Sequence, residues 1–233
     1  MDLKTIGYVI SDFPTKFGIP RQSGRVDGLH ARIVLEEEYR KQEALRGLEG
    51  FSYIWLLWGF SESPRNEWSP TVRPPKLGGN TRVGVFASRS PYRPNPIGMS
   101  SVKLDHIEYG TSSGPILHIL GADLMDGTPI YDIKPYIPGD SHPDATAGFA
   151  ENLCLTLLEV QIDPITVTDV PPEDLSVISA LLSEDPRPAY HCDPERVYGM
   201  EYKNYEIKFI VSGQRLKVTE ISYSSHKKAP ERL

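Results

Sequence analysis

The sequence predicts a mainly β protein: a β-barrel-like sheet that carries the chemistry, followed by a small α+β domain. Three observations lead there. Short apolar stretches, several alternating with polar residues, recur as far as Ile133 with turn residues between them. Only one helical pattern interrupts them. Beyond the proline- and glycine-rich segment Pro135–Gly148 the pattern changes to strand, helix and hairpin.

Strands are expected at Ile6–Ile10, Leu29–Leu35, Tyr53–Phe60, Val83–Ala87, Ser101–Ile107, Ile116–Leu120 and Ile130–Ile133. Val102-Lys103-Leu104-Asp105-His106-Ile107 shows the alternation of a half-buried strand most clearly. The helical pattern lies at Glu36–Leu48, with Glu and Lys/Arg at helical spacing and Gly47 near its end. Strands without regularly interleaved helices point to an antiparallel or mixed sheet that closes, or nearly closes, into a barrel. This gives a first domain over residues 1–143 and a second over 150–233. In the second, Leu153–Ile162 is read as a strand, and Glu173–Ser183 as a helix entered through Pro171-Pro172. Tyr205–Val211 and Leu216–Tyr223 flank Ser212-Gly213-Gln214 as a hairpin, and the tail from Ser224 is expected to fray.

Composition narrows the class. Of 233 residues, 39% are apolar, enough for a core, yet no run approaches the ~18 apolar residues of a membrane span. No basic segment followed by an apolar one opens the chain, and the two cysteines, Cys154 and Cys192, have no metal-ligand spacing. A cytoplasmic protein with reduced thiols is expected, outside the membrane and without a metal. The fingerprints of Rossmann and P-loop nucleotide sites, zinc peptidases and serine hydrolases are all missing. His30, His106 and His118 fall within strand patterns and read as sheet residues.

Charge is distributed unevenly. The net charge is −6, yet no Asp or Glu occurs from Trp68 through Leu104, where Arg73, Lys76, Arg82, Arg89, Arg93 and Lys103 lie. An acid-free segment bearing arginines in an acidic chain points to a local anion site, a phosphate backbone or a carboxylate. Four polar loops follow strands: Gly18–Gln22, Phe60–Ser63, the segment with Arg89, Arg93 and Asn95, and Gly121–Pro129. In the last, a turn accounts for Asp126-Gly127 but leaves Asp123 without a reason. Asn95-Pro96-Ile97 partly matches the Asn-Pro loops with which amino-methylating enzymes hold an amine toward an incoming methyl group. It also fits a simple turn.

Six fragments in order add a resemblance: "IPRQ" (Ile19–Gln22), "RGLEGFSYIWLLWGF" (Arg46–Phe60), "TVRPPKLGGN" (Thr71–Asn80), "GVFASRSPYRPNPIGMS" (Gly84–Ser100), "DLMDGTPIYDIKPY" (Asp123–Tyr136) and "DPRPAY" (Asp185–Tyr190). Together they resemble the bacterial TsaA-type tRNA methyltransferases, also called TrmO, across nearly the whole chain. The resemblance implies a non-Rossmann β-barrel binding S-adenosyl-L-methionine near a homodimer interface. It implies methylation of N6 in N6-threonylcarbamoyladenosine at position 37, beside the anticodon of threonine tRNA. By position it places the cofactor at Pro20, Arg21, Gln22, Ser61, Glu62, Arg89, Leu104, Asp123, Leu124, Met125 and Asp126. Ser61-Glu62 stands where some relatives have His-Gln. Asn95 then becomes the residue that orients the acceptor N–H, and Asp126 or Asp132 the one that takes its proton. Arg73, Arg82, Arg93, Lys134 and Tyr136 become candidates for the anticodon loop, with Trp68 and Tyr92 as further stacking platforms. A non-catalytic RNA- or adenosyl-binding module of this fold, or a methyltransferase with another substrate, are the alternatives.

Overall fold

Strand alternation closes the first part of the chain on itself. The computed structural model describes residues 2–61, 67–74, 77, 80–151, 157–163, 170–188 and 193–224. Eight strands come first: β1 (Gly7–Ser11), β2 (His30–Leu35), β3 (Tyr53–Gly59), β4 (Thr71–Val72), β5 (Val83–Gly84), β6 (Ile97–Thr111), β7 (Gly114–Leu120) and β8 (Pro129–Pro135). Six of them form a closed antiparallel barrel in the order β1-β2-β7-β6-β3-β8, with β8 pairing back onto β1. β4 and β5 make a separate two-stranded ribbon.

Alternate residues of the barrel strands turn inward. Val9, Ile33, Ile54, Leu56, Val102, Leu117, Ile119 and Ile130 are at most 1% exposed, and Leu124, from the loop after β7, joins them. A barrel of so few strands is filled by its own side chains. Any ligand must therefore sit on the rim or the outer wall. The long strand β6 slips register after Leu104 and again after Glu108, and such bulges sharpen the local twist.

The second sheet combines β9 (Glu159–Gln161), β10 (Tyr198–Tyr202), β11 (Tyr205–Ser212) and β12 (Arg215–Tyr223) in the order β10-β11-β12-β9, with β9 parallel to β12. Helix α1 (Pro172–Ser183) begins with proline and two acidic residues, as a helix N-terminus favours. It buries Ile178, Leu181 and Leu182 against Met200, Ile207, Phe209, Leu216 and Val218. Asp174, 7% exposed, accepts hydrogen bonds from Lys203 Nζ at 2.5 Å and Tyr205 Oη at 3.2 Å. Burial, reinforced by that bond, pushes the Tyr205 phenol up to about 12. Phe13, Val26 and Leu29, from the connection between β1 and β2, complete this second core.

The expected barrel and α+β appendage are what the chain forms, but several elements differ. In place of a helix at 36–48 there are three short 3-10 turns, Glu37–Tyr39, Gln42–Leu45 and Leu48–Gly50. Leu45 is the one buried residue in those turns, so the stretch has no apolar stripe to dock, and surface charge pairs alone do not sustain a helix. The expected strand at 83–87 is two residues of β5 followed by a 3-10 turn at Val85–Ala87, with Phe86 74% exposed. β6 starts four residues earlier than expected. Of Leu153–Ile162, Glu159–Gln161 is strand and residues 153–156 lie outside the described residues, as does the tail from 225. Strand β10 was not anticipated.

Candidate active site

Polar residues gather at one end of the barrel, and strand β6 begins the arrangement. Gly98, Ser100, Val102 and Leu104 share its buried face; Val102 and Leu104 fill the core, whereas Ser100, 4% exposed, brings a hydroxyl inside. Trp58 covers Gly98 so closely that a Cβ there would lie 2.3 Å from the indole Cε2. Held that way, with Phe60 edge-on at 4.5 Å, Trp58 donates its Nε1–H to Ser100 Oγ at 3.1 Å.

Asp123 lies beside Ser100. The loop after β7 is drawn onto the β1–β2 connection by two backbone bonds, Gly24 N to Gly121 O at 2.8 Å and Gly121 N to Leu29 O at 2.9 Å. The same connection is tied to β6 by Ser23 Oγ, which donates to Ser101 O at 2.5 Å. Burial raises the Asp123 carboxyl above its ordinary value, while the Ser100 hydroxyl, the Ser23 amide and the charge of Arg89 pull it partly back. Its Oδ1 is buried and has no hydrogen-bond partner among the described residues. A buried acceptor without a donor is costly, so the geometry suits a ligand that supplies an O–H or N–H at that point. The ribose hydroxyls or the ammonium of an adenosyl amino acid have that chemistry.

The neighbouring residues have other work. Leu124 plugs the core with its side chain, and its carbonyl accepts from Ser11 Oγ at 2.9 Å. The carbonyl of Met125 accepts from Thr128, by N–H at 3.2 Å and Oγ1–H at 2.7 Å. Asp126 Oδ1 accepts from Ser11 N at 3.0 Å, which ties the loop to the end of β1. Ile133 turns toward the core, so Asp132 and Lys134 face outward and pair at 2.7 Å. Leu104 is 6% exposed, packs its side chain into the core and donates its N–H to Ser52 O.

Pro20 is buried; Arg21 and Gln22 are exposed, and Arg21 Nη2 donates to Asp185 O at 3.1 Å. Ser61 is exposed just past β3, while Glu62 lies outside the described residues. Asn95 is exposed beside that strand end, where Phe60 N reaches Pro96 O at 3.4 Å. Arg73, Arg82 and Arg89 are exposed, and Arg82 donates to Thr71 Oγ1 at 2.9 Å. Arg93 donates to the carbonyls of Ser88 at 3.0 Å and Ser90 at 3.2 Å, which braces its own loop. Lys76 lies outside the described residues. Tyr136 packs against Tyr53 and Trp55 on the outer wall. Among the described residues no group of three or more His, Cys, Asp or Glu could hold a metal; His106 and His118 stack on each other at 4.1 Å. Trp58, Ser100 and Ser23 escaped the sequence reading. One signal was present: a serine in an inward position of a strand whose other inward residues are glycine, valine and leucine.

Residues 8–141 match the family model of the tRNA-methyltransferase O N-terminal domain, and residues 159–224 the model of the TrmO C-terminal domain. A tRNA (adenine(37)-N6)-methyltransferase of Escherichia coli K12 is 40% identical over 216 residues, covering 89% of this chain and 92% of that protein. One from Eikenella corrodens is 46% identical over 160 residues, covering 68% and 90%. A crystal structure of TrmO from Pseudomonas aeruginosa superposes with a TM-score of 0.75 at 30% identity, covering 96% of this chain and 97% of that one.

Proposed function

The chain belongs to the TrmO family, and on that premise we propose that it is an S-adenosylmethionine-dependent methyltransferase acting on N6 of adenine 37 in tRNA. The substrate form we propose is N6-threonylcarbamoyladenosine in threonine tRNA. The observation that supports the site most directly is the orphaned, buried Oδ1 of Asp123, a ready acceptor for an adenosyl ligand at the barrel rim. Pro20–Gln22, Ser61, Arg89 and the backbone of Leu124–Asp126 surround the same reading, with Asp123 as its anchor.

When bound, S-adenosylmethionine supplies a methyl group already activated on sulfonium, so no covalent enzyme intermediate is required. The chain's part is positioning. Asn95 orients the acceptor N–H with its side-chain carbonyl, and the prolines on either side fix its backbone. In a threonylcarbamoyl adenine that nitrogen is urea-like and a poor nucleophile, which makes orientation the larger demand. Arg89 or Arg93 meets the anionic groups of the substrate, for which a guanidinium fork is well matched. Asp126, which accepts from Ser11 N, or Asp132, which pairs with Lys134, takes up the proton that leaves N6.

A homodimer is part of the proposal. Tyr53 and Met99 are 45% and 54% exposed on the outer wall of β3 and β6, with Trp55 and Leu57 beside them. Exposed apolar surface of this kind is covered when two copies meet. Among the described residues no helix is long and apolar enough to cross a membrane, and a cytoplasmic site of action follows from the substrate. The deciding experiment is methyl transfer in vitro onto threonine tRNA with and without the threonylcarbamoyl group. Incorporation confined to the modified tRNA is expected; equal incorporation into both, or none into either, refutes the substrate assignment.

A further inference from the structure

The connection from β1 to β2 carries Pro20–Gln22, yet most of it does not lie on the barrel. It meets the barrel near its ends and at Ser23 and Gly24. Elsewhere it is packed onto the second domain. Val26 enters the core of that domain, and Phe17 and Ile19 pack against it. Gly18, at φ +94, approaches Met200 so closely that a Cβ would sit 2.4 Å from its Cγ and Sδ. Gly28, at φ +83, lies against Val177. Arg25 forms a two-pronged ion pair with Glu184, Nε to Oε2 at 2.6 Å and Nη2 to Oε1 at 2.8 Å. Their side chains are 24% and 11% exposed, so this pair is shielded from much of the screening that weakens surface pairs.

The turn that follows α1 completes the grip. Asp185 adopts a left-handed backbone, φ +52, which asparagine and aspartate tolerate better than most residues. Arg187 clamps the Asp185 carboxylate with Nε at 2.8 Å and Nη2 at 2.9 Å. So held, the turn presents the Asp185 carbonyl to Arg21 Nη2 at 3.1 Å. A side chain of the ligand segment itself, Arg21, is thus steered by a backbone group of the other domain.

We propose that the turn Glu184–Arg187 sets the geometry of the cofactor-binding loop, with Arg25 and Arg187 as positioning residues that touch no ligand themselves. The second domain then contributes to cofactor affinity even when no RNA is bound. This rests on the assignment of Pro20–Gln22 to S-adenosylmethionine made above. It gives Asp185-Pro186-Arg187-Pro188 a role distinct from holding RNA.

The test uses the full chain and titrates S-adenosylmethionine calorimetrically without tRNA. Arg25→Ala and Arg187→Ala are each expected to weaken binding about tenfold and to raise the cofactor KM with little change in kcat, because a misplaced loop loses binding geometry far from the chemistry. The exchanged pair Arg25→Glu with Glu184→Arg is expected to recover most of the affinity, which a loss of general stability would not do. Hydrogen exchange over residues 16–24 reads the brace without any ligand: faster exchange in Arg25→Ala supports it. Wild-type cofactor affinity and exchange in both single variants, or a loss confined to tRNA affinity, overturns it. Asp123→Ala serves as the separate control. If that variant binds S-adenosylmethionine normally, the cofactor assignment fails, while the exchange measurement still judges the brace.

Discussion

Two regions border the mouth of the barrel, and they are built on opposite plans. On one side Ser23, Ser100, Trp58 and Asp123 come from four separate parts of the chain: Trp58 donates to Ser100, Ser23 donates to the carbonyl of Ser101, and Asp123 is buried beside them. On the other, the described stretch 80–96 carries a run of local bonds: Val85 O accepts from Ser88 Oγ, Ser88 Oγ from Ser90 N, and Ser90 Oγ from Tyr92 N. The first region has its geometry fixed before any ligand arrives, as a small-molecule site requires. The second holds Arg73, Arg82 and Arg89 outward on a loop braced mostly by short-range bonds, which suits a polyanion read mainly by charge. On the function proposed above, the mouth divides into a fixed half that would take the cofactor and an adaptable half that would take RNA.

Substitutions that separate the halves should have the largest effects. Asp123→Ala is expected to weaken S-adenosylmethionine binding roughly a hundredfold, the scale of a lost charged hydrogen bond in a buried site. Asn95→Ala should leave that affinity intact and lower turnover roughly a hundredfold through lost orientation. Calorimetry with single-turnover methylation distinguishes them. If Asn95→Ala turns over at the wild-type rate with normal cofactor binding, its positioning role is wrong.

Protonation sharpens the same division. Asp123 titrates above the ordinary carboxyl value of 3.8, with burial as the leading cause, so the folded chain holds that proton more tightly than the unfolded one. Its contribution to stability is therefore fullest below the unfolded value and declines as pH rises through the folded one. Asp123→Asn should flatten that part of the stability profile. A ligand that donates to Oδ1 favours the charged form, so cofactor affinity should rise with pH across the same window. Binding should release a proton, detected as a heat that depends on the buffer. A pH-independent affinity in wild type would contradict a ligand donor at Oδ1.

The unequal legibility of the two halves in the sequence has a physical cause. The cationic half is contiguous, so its arginines, prolines and missing acids were visible in one window. The fixed half is assembled by register. Ser100 meets Trp58 because β6 pairs antiparallel with β3, Gly98 opposite Trp58, and no local pattern encodes that alignment. Asp123 stood out because the turn did not need it, but its burial depends on Gly24 closing over Gly121. The barrel was legible from period-two alternation. The false helix at 36–48 arose from charge spacing without an apolar face.

A smaller effect tests whether the loop after β7 mixes the two kinds of work. Asp126 serves Ser11 N, so Asp126→Ala should cost about 1 kcal/mol, lowering the melting temperature by about 2–4 °C. Its effect on cofactor affinity should be well below that of Asp123→Ala. A variant with unchanged melting and a hundredfold weaker cofactor would move Asp126 from the turn to the ligand.

The smallest effects belong to the adaptable half, and they should appear in the salt dependence of tRNA binding rather than in cofactor affinity. Arg73 and Arg82 are exposed, and each phosphate they neutralise releases counterions whose entropy drives binding. Arg82→Ala should weaken tRNA binding a few-fold at low salt and reduce the slope of log affinity against log salt by about 1, with Arg73→Ala similar. Because these side chains hold no buried geometry, the losses should add when both are removed. If either substitution instead abolished binding at all salt concentrations, that arginine would be making a specific contact. The second half of the mouth would then be as fixed as the first.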